Sequence, residues 1–159
     1  MDKEIALLLR VLDQAFEKKA WHGPNLRGSL RGLSDAEAAW RPGTRRHNIW
    51  EITVHAAYWK YAVRRRLLGG KRGSFPLDGS NWFFRPETRE LKSWQADIRL
   101  LMDQHRELRR AIMRMRGRDL RRRSPGSAID NATLIYGIAS HDLYHAGQIQ
   151  LIKRLMPAR

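Results

Sequence analysis

Apolar residues recur at three- and four-residue spacing along four stretches of the chain, and no stretch alternates apolar and polar residues as a half-buried strand would. The first stretch, from about Asp2 to Ala20, carries Ile5, Leu8, Leu9, Leu12 and Phe16 on one stripe and is stopped by Gly23-Pro24. A linker follows, in which Ser34 with Glu37 three residues on forms a capping-box pattern for one short turn. The second helix opens at Asn48, with Glu51 in the same capping relation. It runs through Ile52, His55, Ala56, Trp59, Val63 and Leu67 to Gly69-Gly70. Residues 71–86 are rich in Gly, Pro and aromatics, and their length suits a crossover between parallel helices rather than a tight antiparallel turn. The third helix is expected after Pro86, over about Glu87–Met115, with Leu91, Trp94, Ile98, Leu101, His105, Leu108, Ile112 and Met115 on its stripe. A Gly- and Arg-rich loop occupies 117–127. The fourth helix runs from near Ser127 to about Leu155, with Leu134, Ile138, His141, His145, Ile149 and Ile152 on one face.

These elements predict an all-α fold, a four-helix bundle with one long crossover between helices two and three, forming a single domain over residues 1–159. Composition agrees: 42% apolar and 30% charged residues describe neither a disordered nor a membrane-embedded chain. No run reaches the 18 or so apolar residues of a membrane span, and Met1-Asp2-Lys3-Glu4 has no signal-peptide core. A cytoplasmic protein without membrane attachment is therefore expected. The absence of cysteine removes disulfides, thiolate zinc sites and a cysteine nucleophile from consideration.

Charge changes the picture more. There are 31 basic residues against 16 acidic, a net charge of +15. Residues 1–40 are balanced, whereas 41–80 carry nine basic against two acidic and 81–127 carry thirteen against six. Arg64-Arg65-Arg66 and the cluster from Arg114 to Arg123 dominate that excess. Cations at helix C-termini complement the macrodipole and aid solubility. The same charge would also attract nucleic acid, another polyanion, an acidic partner or a multiply charged thiol cofactor. No helix-turn-helix, zinc finger or aromatic-basic ribonucleoprotein motif accompanies it, so nucleic acid is disfavoured and rests on charge alone. Along α-helical rise, His55 stands on the order of 15 Å before the first arginine cluster, which places that cluster outside the histidine site considered next.

The candidate chemistry lies in histidine spacing. His141 and His145 are four apart, about 40° apart on one helical face, the spacing by which one helix offers two imidazoles to one ion. His55, on the apolar stripe of another helix, could supply a third. Three neutral imidazoles and an open position make a Lewis-acid site that lowers the pKa of a bound water or thiol. A core histidine satisfied by a backbone carbonyl is the plainer alternative. It is preferred for His22 in a turn, His47 before a helix and His105, read as a stripe residue bonded locally.

Residues 40–55 (WRPGTRRHNIWEITVH) and 141–149 (HDLYHAGQI) resemble the second- and fourth-helix signatures of the DinB-like (YfiT-like) family of metal-binding four-helix bundles. Gly73-Ser74-Phe75-Pro76, Asn81-Trp82 and Pro86 are similar to that family's crossover loop. The resemblance covers roughly residues 30–155. It implies up-down-down-up connectivity and one divalent ion, with zinc or nickel first, on His55, His141 and His145. It also implies thiol-dependent chemistry, because characterised relatives transfer low-molecular-weight thiols such as bacillithiol or isomerise maleylpyruvate with mycothiol. Others are described as metal-dependent hydrolases. The arginine excess and the tract Arg121-Arg122-Arg123 depart from the pattern.

Around these ligands, Glu51 could orient an imidazole or act as a base, or could simply cap its helix. Trp59, Trp82 and Gln148 are candidates for contact with a small-molecule substrate, or for packing. Asp142 points off the ligand face. The leading expectation is an enzyme activating a thiol or water for S-transfer or hydrolysis on a small electrophile. The alternative is a non-catalytic, metal-stabilised stress-response or binding module that grips a polyanion through its arginine end. A homodimer fits a small aromatic-rich bundle, though no sequence feature requires one.

Overall fold

The computed structural model describes residues 2–85, 91–124 and 127–157. Helix α1 spans Lys3–Phe16, where the Asp2 side chain accepts the Glu4 N–H at its start. It stops short of Ala20 because the apolar stripe ends at Phe16; the N–H groups of Glu17 and Lys18 close the last turn on the Asp13 carbonyl. The linker holds two short helices rather than one: α2 (Leu26–Ser29), capped by Asn25, and α3 (Asp35–Ala39), opened by the Ser34–Glu37 capping box. Helix α4 (Ile49–Leu67) begins with the Asn48–Glu51 box and ends before Gly69, whose φ of 67° closes the helix.

Helix α5 spans Leu91–Met113, and the expected start at 86–90 lies outside the described residues. Leu91, placed on the stripe by periodicity, is exposed. The arginine-rich loop contains a 3₁₀ turn at Gly117–Arg121. Helix α6 (Asn131–Leu155) starts later than expected, because Asp130 rather than Ser127 caps it, accepting from the Thr133 N–H. No strand forms among the described residues; one bridge joins Arg123 to Asp130.

The helix directions follow from who meets whom. Near its start α4 meets the first half of α5, Trp50 donating to Asp97 at 2.6 Å, and near its end Arg64 meets Glu107. These two helices therefore run parallel, which the long crossover permits. Helix α1 runs against α5, with Arg109 on Asp13 and His105 stacked on Phe16. The core has two apolar parts. Trp50, Ile52, Trp94, Ile149 and Ile152 belong to one, and Ile5, Leu12, Val63, Ile112, Leu134 and Ile135 to the other. Helix α6 thus packs its end on the start of α4, antiparallel to it. Each fully buried Leu or Ile contributes about 1.5–3 kcal/mol. On α6, residues 141–145 fall between the two parts, and there the bundle turns polar.

The crossover packs back on α4. Phe75 and the buried Phe83 both sit against Tyr58, with ring centroids at 5.4 and 5.5 Å. That aromatic contact holds Asn81 and Trp82 over the middle of α4.

Candidate metal centre

His55 projects from α4, and His141 and His145 project from α6 one turn apart, so a single helix–helix seam brings all three together. The Nε2 atoms of His55 and His141 are 3.2 Å apart, those of His145 and His141 3.0 Å, and the three ligand atoms lie within 4.8 Å of one another. A tetrahedral ion at about 2.0–2.1 Å from each nitrogen would space neighbouring nitrogens by about 3.3 Å. The donor set and its spacing therefore fit a divalent ion of the zinc type.

The outer nitrogens fix two of the three tautomers. His55 Nδ1 donates to the Asn81 carbonyl at 2.8 Å, and His145 Nδ1 donates to Gln148 Oε1 at 2.7 Å. The Nε2 atoms of His55 and His145 are thereby left as acceptors, both facing His141 Nε2, which can carry the proton shared with them or, with its proton on Nδ1, join them around a cation. His141 Nδ1 is buried and has no partner among the described residues.

Burial keeps the rings neutral, the form that ligates. It lowers His55 to about 4 even though the Asn81 carbonyl pulls the other way, and neighbouring imidazoles add to the lowering. Burial, then His145 and His55, takes His141 to about 3. His145 is lowered by burial as well, against the Gln148 bond.

The expected neighbours divide. Trp82 stacks on the His55 ring at 3.8 Å and 12°, and its other face stacks on His47 at 3.6 Å and 4°. Trp59 stands edge-on to His55 at 6.3 Å and tilted against His141 at 6.2 Å, its indole N–H given to Asn81 Oδ1 at 2.9 Å. Gln148 touches the site through its bond to His145. Glu51 does not bond any of the three rings. Its carboxylate accepts from Arg41 in two bonds, from His47 and from the Asn48 N–H. Burial would raise this carboxyl, but those bonds and the Arg41 charge hold it below the usual range.

Sequence reasoning missed Asn81 in this role. Its φ of 65° is left-handed, a conformation Asn tolerates, and it aims the carbonyl at His55 and the amide at Trp59 together. A loop Asn beside Trp82 was the one available signal. It also missed a second polar cluster behind the triad. Lys60 and Asp142, both fully buried, meet at 2.5 Å, with the Lys60 ammonium 4.6 Å over the Phe16 ring. Burial raises Asp142 to about 6 and lowers Lys60, each opposed by the other's charge. His105 was expected to be bonded locally. It is buried against Phe16, and neither ring nitrogen has a partner among the described residues. Burial, then Lys60 and Arg109, lowers it to about 2. His22 is exposed.

One arginine of the α4 cluster reaches toward the triad. The Arg66 guanidinium folds back to 6.0 Å over the Trp59 ring, one indole away from His55. No helix among the described residues is long and apolar enough to cross a membrane.

A family model described as the DinB superfamily matches residues 20–149, a span that includes all three histidines. No curated protein and no solved structure matches the chain.

Proposed function

The chain belongs to the DinB superfamily, and from that premise we propose that it is an enzyme holding one divalent ion on His55, His141 and His145, which activates a thiol or water toward a small electrophile. The observation that carries this reading is the convergence of three Nε2 atoms, two of them, on His55 and His145, left as acceptors because their outer nitrogens are spoken for at Asn81 and Gln148. When bound, such an ion lowers the pKa of a coordinated thiol or water and so supplies a nucleophile near neutral pH. The chain's own part is positional. Asn81 and Gln148 hold two rings in the ligating tautomer and raise their basicity. Trp82 covers the face of His55, and Trp59 walls the side next to His141, so a substrate would meet aromatic surface beside the ion. Glu51 serves this reading only at a distance, by fixing His47 against Trp82. A low-molecular-weight thiol as co-substrate, zinc or nickel as the ion, and a cytoplasmic setting complete the proposal.

Elemental analysis of untagged protein tests it. One equivalent of metal is expected in the wild type and none in a His141→Ala, His145→Ala variant. The loaded protein should consume a model electrophile faster with a low-molecular-weight thiol than without. Metal-free wild type with intact helicity, reloading with neither zinc nor nickel, would sink the reading.

A further inference from the structure

The C-terminal end of α4 carries a feature the triad does not use. A cavity of about 580 Å³ opens there, lined by Arg65, Arg66 and Arg72 from one segment and by Ser124, Ser127 and Ile129 from the segment leading into α6. Among the described residues no carboxylate lines it. Three other cavities of the surface each include one, from Glu17, Glu51 and Asp78 respectively.

Arginines at a helix C-terminus ordinarily answer its unsatisfied carbonyls. Here three of those carbonyls already have partners. The Arg64 carbonyl accepts from the Leu68 N–H, that of Arg65 from the Gly70 N–H, and that of Arg66 from both the Gly69 N–H and the Ser124 hydroxyl. Arg64 turns away to Glu107, and Arg65 gives one N–H to the Gly70 carbonyl. Among the described residues no carboxylate pairs with Arg65, Arg66 or Arg72. Arg72 lies beyond the helix altogether, so the dipole does not account for its place on the cavity wall. Asp78 lines the adjoining cavity with Arg65 and Arg72 but forms no ion pair with either, and a phosphate among the three arginines would satisfy their N–H forks bidentately.

We propose that this cavity binds a phosphate oxyanion through Arg66 and Arg72, with Arg65 in support. Its volume leaves room for a small organic group attached to the phosphate. Because Arg66 also lies over Trp59, a ligand anchored here would stand one indole from the histidines, yet the anion site itself does not need the metal.

Calorimetric titration tests this with inorganic phosphate and with phenyl phosphate, at about 0.15 M salt to screen general attraction. Both should bind, and tighter binding of phenyl phosphate would assign the site to a phosphorylated small molecule rather than the free ion. The double variant Arg66→Gln, Arg72→Gln should weaken binding roughly tenfold or more. The variant Arg106→Gln, Arg110→Gln removes the same charge elsewhere and should leave affinity unchanged. Binding should persist in the His141→Ala, His145→Ala protein, so failure of the metal reading would not touch this result. Equal losses in the two arginine variants, no binding of either probe, or displacement by an RNA oligonucleotide that ignores Arg66 and Arg72 would overturn it.

Discussion

Two polar clusters sit back to back in the middle of this bundle, both built from α4 and α6, and they are organised on opposite principles. In the triad the outer ring nitrogens are tied to Asn81 and Gln148 while the inner ones face a shared point. In the other cluster Lys60 closes directly on Asp142 Oδ2, so the two charges cancel each other, while the buried Oδ1 has no partner among the described residues. A cluster of neutral imidazoles whose inner nitrogens converge on one point is a site suited to a cation. A cluster whose charges cancel internally needs no outside counter-charge, and its contact ties α4 to α6. Charge content alone does not separate the two; the direction of the free valences does.

The largest effect expected from this contrast comes from breaking the closed cluster. Lys60→Met leaves a buried carboxylate unpaired and should cost about 3–5 kcal/mol by urea unfolding, whereas adding Asp142→Leu should recover most of that loss. Equal costs for the single and the double variant would show that packing, not pairing, holds the seam. Next in size is an acid effect at His105. Its folded pKa of about 2 lies far below the ordinary 6.5, so below pH 6.5 the unfolded chain takes up a proton that the folded chain refuses. Stability therefore falls as pH drops through that range. His105→Phe removes this contribution, and its advantage over wild type should grow by about 2 kcal/mol between pH 7 and pH 5. Thermal melts of metal-free protein at the two pH values measure it. The smallest effect sharpens the open cluster. Asn81→Ala strains the left-handed turn and shifts the carbonyl from His55, lowering metal affinity about tenfold in a chelator competition. Asn81→Gly keeps both the turn and the carbonyl and should bind nearly as wild type.

The parts that could be read from sequence were those fixed locally. The Asn48–Glu51 cap and the i, i+4 histidine pair depend on residues within one turn, and both are found as read. Lys60 was illegible because a lysine among alanines and tyrosines announces nothing until Asp142, eighty-two residues away, is set against it. Asp142 is one residue from a ligand, and the 100° step that takes it off the ligand face drives it into the seam instead of into water. Asn81 acts on His55 through its main chain, for which a one-letter code carries no mark. The later start of α6 turns on Asp130 outcompeting Ser127, a choice made by the bridge to Arg123.

The grip of Asn81 on both His55 and Trp59 has a thermodynamic corollary. Since one loop residue is bonded to a ring of the triad, an ion held there and the packed crossover would stabilise each other reciprocally. Whatever tightens the ring would favour the packed form of residues 71–85, and a nick in that segment would loosen the ion. The crossover is then a latch on the centre as much as a connection between two parallel helices.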